Sequence, residues 1–509
     1  MSEQDPVIPK DRYNQELVEN IHPSGWTNPE PAGKYNLVVV GAGTAGLVTA
    51  AGAAGLGAKV ALVEKHLMGG DCLNVGCVPS KCLIRSAKAA AEVRDASRYG
   101  IGVPGGFEVD FPAVMERMRR LRAGISPNDS AKRFSEQLGV DVYLGEGRFT
   151  GTNTVQVGDA VLGFRKAVIA TGARAFKPPV EGLAEAGFLT NETIFTLTNR
   201  PERMAVIGAG PLGCELAQAF QRLGCRVSLL QRGPGIMPRE DPDAAGIVLE
   251  SMRRDGVAIY LSSDVKRIER TREGKSIHIE IEGKGLQVIV DEILVGTGRV
   301  PNVEGLGLEA AGVQYDDRGG VMVDEFLRTS NPAVFAAGDV CSAYRFTHTA
   351  DAQARIVIQN ALLWGRKRSS ALTVPWCTYT DPEVAHVGMY ERDAREKGIL
   401  VDTFNIPMQD VDRAVTDGET DGLVRIHVRK GTDRILGATV VARHAGEMIS
   451  EISTAMQARM GLGSLSGIIH PYPTQAEAFR KAADAYNRTK LTPMVKKVFE
   501  WILKWERRG

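Results

Sequence analysis

Hydrophobic and polar positions along the chain fall into two long repeats of one pattern. From Tyr35 to Ala58 there are 24 residues without a charge: a β-rich run YNLVVV, a glycine turn GAGTAG, then an alanine-rich run. That length reaches a membrane span, but the glycine breaks predict a buried strand, a tight turn and a helix instead. The same strand–turn–helix recurs at RMAVIGAGPLGCELAQAF, its first glycine 167 residues after Gly41. Two such units predict two nucleotide-binding domains of one architecture.

The remaining apolar runs extend this picture. AVIATGARAFKPP (167–179) reads as a buried strand ending at Thr171-Gly172 with a proline linker behind it, and DEILVGTGRVPN (291–302) as the strand closing the second unit. NPAVFAAGDV (331–340) is another apolar strand, ending in Gly338-Asp339. From about residue 371 the texture changes to short strands such as LVRIHVRK and ILGATVVAR, which predicts a separate α+β domain. Residues 1–34 read as an irregular extension, and LTPMVKKVFEWILKWERRG as a basic amphipathic helix. The expected segments are therefore 1–34, an extension; 35–177, the first dinucleotide domain; 178–298, the second; 299–370, a return to the first; 371–488, the α+β domain; and 489–509, the tail helix.

Bulk properties narrow the function classes. With 509 residues the chain is too long for one core, and three or four packed units are expected. A net charge of +1 gives no reason to expect a nucleic-acid partner. The polar start MSEQDPVIPKDRYNQ has neither the basic nor the apolar part of a signal peptide. Seven cysteines are too few for a disulfide scaffold and fit a reducing compartment, so a cytoplasmic protein is expected.

Chemistry concentrates in the turns. Gly41, Gly43 and Gly46 follow a strand and open a helix, so the backbone can approach a pyrophosphate at the helix N-terminus. Glu64, 18 residues after Gly46 at the end of KVALVE, is placed to accept ribose hydroxyls. In the second unit Gly208, Gly210 and Gly213 repeat the loop, but Gln231 stands where the acid would be, with Arg232 beside it and Arg239 seven further on. Loss of the carboxylate next to arginines suits a 2′-phosphate, so NADPH is expected ahead of NADH.

The most distinctive stretch is GGDCLNVGCVPSK, residues 69–81. In a regular helix Cys72 and Cys77 would stand ~7.5 Å apart along the axis and about 140° around it, too far for a disulfide. A bridge therefore requires an irregular start, which Asn74 and Gly76 permit. Near a helix N-terminus Cys77 would favour the thiolate, and Lys81, four residues on, adds positive charge. A zinc site would need further close ligands, and none is nearby, so no metal site is expected. Cys82, Cys214, Cys225, Cys341 and Cys377 read as packing cysteines.

Together these motifs resemble the pyridine nucleotide–disulfide oxidoreductase family, class I, which includes glutathione reductase, dihydrolipoamide dehydrogenase and mercuric reductase. The likeness runs from about Tyr35 to Phe479. It implies an α/β fold of two Rossmann-like domains, for FAD and NAD(P)H, and a C-terminal α+β dimerisation domain that completes the partner's active site in a homodimer. It implies Cys77 as the charge-transfer thiolate facing the flavin and Cys72 as the interchange thiol. Lys81 would pair with Glu215 beside the flavin, Asp339 would bind the FAD ribityl and pyrophosphate, and Gly147 would lie by the adenine. Gly298 would touch the nicotinamide nucleotide, and Thr171 and Gly172 count among the cofactor-binding positions.

Near residue 470 the chain departs from glutathione reductase and dihydrolipoamide dehydrogenase. The text His470-Pro471-Tyr472-Pro473-Thr474-Gln475-Ala476-Glu477, aligned on Pro-Thr and the glutamate, puts Tyr472 at the catalytic histidine's place and leaves His470 two residues away. Mercuric reductases resemble the chain here, although the cysteine pair they carry near the C-terminus has no counterpart in the closing WERRG. The expected reaction moves electrons from NAD(P)H through FAD to Cys72–Cys77 and on to a small disulfide or a thiol-reactive metal ion. The rivals are a dihydrolipoamide dehydrogenase reducing NAD⁺, and a redox sensor or electron carrier held at a membrane surface by the tail helix, where Met494, Val495, Val498, Ile502 and Trp505 share a face and Lys496, Lys497, Lys504, Arg507 and Arg508 lie elsewhere.

Overall fold

The computed structural model describes residues 7–31 and 33–507, and Arg508 of the tail lies outside them. They form two compact units: residues up to 232 together with 257–372, and residues 233–256 together with those from 373 onward.

In the first unit the strand Tyr35–Val40 is central to a seven-stranded sheet. Val60–Glu64 pairs with it in parallel on one side and Ala160–Ile169 on the other. Asp141–Leu144 and Val334–Ala336 extend the parallel core outward. Leu37 and Val39 point into one apolar cluster, and Tyr35, Val38 and Val40 into another. Burial on both faces explains the unbroken hydrophobic run, since helices cover one face and further strands and loops the other. The helices Thr44–Gly55 and Thr347–Leu362 pack on each other over it. Because the core strands are parallel, Gly41, Thr171 and Gly338 all leave them at the same edge, where such sheets bind ligands.

A second parallel sheet, Ala258–Tyr260, Arg226–Leu230, Arg203–Ile207 and Glu292–Val295, carries the second glycine loop. It is followed by the three antiparallel strands Ser263–Thr271, Gly274–Ile281 and Lys284–Val290.

The extension before residue 35 is not irregular as expected. Residues Arg12–Ile21 form a helix capped by Asp11, whose side chain accepts from Asn14 N at 2.9 Å. Leu17 and Ile21, four apart, are fully buried, and the helix packs on Phe111–Ile125. Beyond it, Trp26 Nε1 and Asn28 bond the backbone of Val142 and Leu144, which covers the free edge of that strand.

The second unit is built on a five-stranded antiparallel sheet, Pro375–Thr378, Glu383–Gly388, Ile435–Ala442, Leu423–Arg429 and Val401–Pro407. Helices Ala445–Gln457 and Glu477–Thr489 pack on it through Ile449, Ile452, Phe479 and Ala482. The expected 178–298 domain is divided, since residues 233–256 belong to this second unit. The helix Pro242–Arg254 is held there by Arg425, which pairs with Asp241 at 3.1 Å and also with Asp243, while buried Glu240 accepts from Trp376 Nε1 at 2.8 Å and Tyr390 OH at 2.6 Å.

Candidate active site

The two glycine loops are built alike. A Cβ on Gly46 would lie 1.8 Å from Gly41 O, and one on Gly213 1.9 Å from Gly208 O, so helix and turn approach too closely for any side chain. Gly43 and Gly210 are the N-cap residues of the helices that follow, neither with a side-chain cap. Glu64 accepts from Ala42 N at 2.7 Å, and Gln231 accepts from Ala209 N at 3.0 Å. Gln231 therefore takes the place of the acid in the second unit as a neutral group. Burial raises the Glu64 carboxyl above its ordinary range, against the backbone amides that lower it. These helix N-termini, each opened by glycine and without a side-chain cap, fit the pyrophosphates of FAD and of NAD(P)H. Arg232 is exposed, and Arg239 is an exposed residue of the second unit.

The cysteine motif is fastened to the first loop. Gly69 N donates to Ala42 O at 2.8 Å, and a Cβ on Gly70 would come 2.6 Å from Gly43 Cα, so the paired glycines of GGDC are the contact itself. The irregular start exists: Cys72 sits in a short helix Gly70–Asn74, and Cys77 begins the helix Cys77–Arg94. At the break, a Cβ on Gly76 would lie 2.7 Å from Asp71 O, while Asn74 Nδ2 donates to Gly70 O at 2.9 Å. This break brings the two sulfurs into hydrogen-bonding contact, both as free thiols.

The pair is electrostatically unequal. Cys77 is pulled below the ordinary thiol range, first by the hydrogen bond from Cys72, then by Thr347 and the Lys81 charge, with desolvation opposing. Cys72 is pushed up by the same bond and by burial. Thr347 Oγ1 lies 3.2 Å from Cys77 Sγ and opens the helix Thr347–Leu362, whose positive end therefore faces the sulfur. Lys81 Nζ meets buried Glu215 at 2.8 Å, across the packing of helix Cys77–Arg94 on Pro211–Arg222. Cys77 stands apart from Cys82, Cys225 and Cys341, whose thiols burial pushes upward.

Several expected cofactor residues have protein partners. Thr171 Oγ1 donates to Asn302 O at 2.7 Å, and Gly172 O accepts from Asn302 N at 3.0 Å, so this turn is latched to the segment that follows residue 298. Gly147 is buried against Val63, beside a cavity of about 580 Å³ lined by Gly145, Glu146 and Arg148. Gly298 has an open position with φ +128°, its carbonyl accepting from Phe176 N at 3.0 Å. Asp339 stands 3.7 Å from Arg299, which also binds Asp71 of the cysteine motif, and burial raises the Asp339 carboxyl. Thr347 and Arg299 had no signal in the sequence pattern, and Asp71, inside the cysteine motif, takes its partner from the distant Arg299. Among the described residues no cluster of three or more His, Cys, Asp and Glu side chains is arranged to hold a metal.

In the second unit the two residues of the His-Pro-Tyr stretch differ sharply. The His470 side chain is 5% exposed, its Nε2 2.9 Å from Glu451 and its Nδ1 3.1 Å from Ile468 O. Tyr472 is 71% exposed, and its hydroxyl donates to Asp412 at 2.8 Å. Glu477, five residues on, makes its ion pair with Arg480 rather than with Tyr472, and its Oε2 is buried with no partner among the described residues. Tyr472, His470, Glu477 and Arg480 line one cavity of about 280 Å³.

Two dinucleotide loops on one unit, joined to a polarised cysteine pair, define a nucleotide-dependent thiol–disulfide flavoprotein. The chain belongs to the pyridine nucleotide-disulphide oxidoreductase family: residues 35–354 match that family's model, and residues 374–483 match its dimerisation domain. It is 33% identical over 459 residues to a mercuric reductase of Staphylococcus aureus, covering 90% of this chain and 83% of that one. It is equally 33% identical over 465 residues to a dihydrolipoyl dehydrogenase of Thermus scotoductus, covering 89% and 98%. Among solved structures, LpdA of Mycobacterium tuberculosis superposes with a TM-score of 0.80 at 27% identity, covering 89% and 99% of the two chains. The Cu(II) complex of the HOCl-induced flavoprotein disulfide reductase RclA of Escherichia coli does so with 0.78 at 28%, covering 87% and 98%. The family uses FAD and NAD(P)H, and its dimerisation domain supports a homodimer.

Proposed function

We propose that the chain takes electrons from NADPH and delivers them through FAD and the Cys72–Cys77 pair to a thiol-seeking acceptor, a soft metal ion such as mercuric ion ahead of a small disulfide. The observation that carries this reading is the inequality of the two sulfurs, with Cys77 favoured as thiolate beside Thr347 and the Lys81–Glu215 pair. FAD, held at the first glycine loop, supplies the step between hydride and thiol chemistry.

The protein's own groups then have defined tasks. Two electrons entering the Cys72–Cys77 disulfide break its S–S bond, leaving Cys77 as thiolate and Cys72 protonated. Cys72, the sulfur with the raised pKa, is the better nucleophile once it loses its proton. With a disulfide substrate, Cys72 attacks one sulfur, Cys77 then attacks Cys72, the internal disulfide reforms and two thiols leave. Cys72 must give up its proton to attack, and the base that takes it returns it to a departing thiolate. Tyr472 is an exposed phenol with a raised pKa through its bond to Asp412, poor as a base at neutral pH. A soft cation held between two sulfurs makes no such demand, and this favours the metal ion. The same argument weighs against a dihydrolipoamide dehydrogenase running toward NAD⁺, which needs an efficient base to deprotonate its dithiol.

An anaerobic turnover screen tests the reading. NADPH and NADH are each offered with mercuric ion, lipoamide, glutathione disulfide and quinones. Fast NADPH-dependent consumption of mercuric ion with slow turnover of both disulfides is expected. Faster lipoamide turnover with NADH would replace this reading with the dihydrolipoamide one.

A further inference from the structure

The helix Pro493–Glu506 carries an apolar surface that the described residues leave largely uncovered, with only Val495 and Ile502 half-buried. Thr492 caps it through Val495 N at 3.3 Å, yet no residue in it is buried. The neighbouring helix Glu477–Thr489, by contrast, buries Ala478, Phe479, Ala482 and Ala483. At ~100° per residue, Trp501, Met494, Trp505, Val498, Ile502, Val495, Phe499 and Leu503 fill one continuous arc of about 200°. Glu506 is the one charge within it. The opposite arc holds Lys496, Lys497, Lys504 and Arg507 around a single acid, Glu500. Trp501 and Trp505 are each 71% exposed, and Trp501 stands next to Lys497 at the border between the arcs.

We propose that this helix docks, lying flat, on an anionic membrane surface. Its polar arc is almost wholly basic and so complements lipid phosphates, while the wide apolar arc enters the acyl boundary. Tryptophan at the border is the side chain suited to that depth, apolar in body with one donor at its edge. The 14-residue helix is ~21 Å long, shorter than a bilayer core, and no helix among the described residues is long and apolar enough to cross one. A second copy of the chain is the competing occupant. The match to the family's dimerisation domain stops at residue 483, so this helix lies outside the part that family dimers share. A nucleic acid would use the basic arc alone and leave the larger apolar arc in water.

Co-sedimentation of the full-length flavin-loaded protein with vesicles decides the matter. Neutral phosphatidylcholine vesicles are compared with vesicles that also contain phosphatidylglycerol. Binding to the anionic vesicles at least tenfold stronger than to the neutral ones is expected, with a blue shift of tryptophan emission. Lys496→Glu/Lys497→Glu/Lys504→Glu and, separately, Trp501→Ser/Trp505→Ser should each reduce binding at least tenfold while NADPH oxidation with a soluble acceptor is unchanged. Equal binding to both vesicle types, no binding, or binding that survives either set of substitutions overturns the proposal. A chain ending at Thr489 that becomes monomeric on a sizing column, where the full chain is dimeric, assigns the face to a second copy and also overturns it.

Discussion

Arg122 donates from Nη1 to the carbonyl oxygen of Asn74 at 2.7 Å, inside the protein and next to the helix that carries Cys72. Its other terminal nitrogen donates at 2.7 Å to Asn14 Oδ1, on the N-terminal helix, and Asp11 at that helix's cap pairs with Arg119. One buried guanidinium thus ties the extension ahead of residue 35 to the helix that carries Cys72. Burial lowers the Arg122 pKa to about 10, a measure of how far it has been taken from water, yet it remains charged at neutral pH.

Arg122→Ala should therefore do two things. Asn14 Oδ1 and Asn74 O would each lose a buried donor, at roughly 1–3 kcal/mol apiece, seen as an earlier denaturant midpoint. Cys72, on a loosened helix, should react with substrate more slowly, while reduction of the flavin by NADPH is unchanged. Arg122→Lys, with a point charge in place of a fork, should recover only part of either effect. A full-speed second half-reaction in a clearly destabilised Arg122→Ala would confine the residue to stability.

The pH dependence of Cys77 follows from its neighbours. Its thiol is shifted down, so the charged form is retained as pH falls below the ordinary thiol value of about 8.5 and is lost only at the lower folded value. In Cys72→Ser, which keeps a hydroxyl donor, alkylation of Cys77 should still be substantial at pH 7. Adding Lys81→Met removes a cation that lowers the value and leaves Glu215, which raises it. The midpoint should then move up and alkylation at pH 7 fall by roughly three- to tenfold. Adding Glu215→Gln as well should restore most of the rate. An unmoved midpoint in Lys81→Met would show that the ion pair does not act on the sulfur.

What could be read from the sequence was local. The glycine loops, the Glu64 and Gln231 positions and the broken helix between Cys72 and Cys77 are each set by fewer than two dozen consecutive residues, and the chemistry of glycine and asparagine signals the break. The groups that tune the site come from afar: Thr347 reaches Cys77 across 270 residues and Arg122 reaches Asn14 across 108. No periodicity encodes such meetings. The N-terminal helix was hidden because its fully buried apolar pair, Leu17 and Ile21, spans little more than one turn and prolines follow it closely. The place of residues 233–256 in the second unit rests on Arg425 and Glu240, whose partners lie far along the chain.

Coenzyme choice should turn on Gln231. Its side-chain oxygen already holds Ala209 N, as Glu64 holds Ala42 N, so a glutamate at 231 fits the same bond. Gln231→Glu/Arg232→Ala would place a carboxylate against a 2′-phosphate and offer it to ribose hydroxyls. The ratio of kcat/KM for NADPH over NADH should fall at least tenfold, about 1.4 kcal/mol. A wild-type enzyme that already prefers NADH would remove the premise.

Tyr472 and His470 give the sharpest test of the substrate side. The sequence spacing alone leaves both as candidates, since His470 needs only a local bulge to reach Tyr472's position. Their settings differ: His470 is turned inward between Glu451 and Ile468 O, whereas Tyr472 is presented to solvent with its hydroxyl held by Asp412. Tyr472→Phe should therefore slow the substrate half-reaction with a disulfide acceptor, on the order of tenfold or more for loss of one positioned donor, and leave flavin reduction by NADPH unchanged. His470→Ala should lower thermal stability through the loss of its Glu451 contact, with the half-reaction nearly intact. Tyr472→His should raise turnover of glutathione disulfide or lipoamide, because an imidazole can serve as base near neutral pH and Asp412, already bonded to this position, can orient it. Tyr472→His/Asp412→Asn should then lose most of that gain. Stopped-flow measurement of the two half-reactions reads all four variants. Loss of the second half-reaction in His470→Ala, with Tyr472→Phe silent, would reverse the assignment and move the acid–base role to the buried histidine.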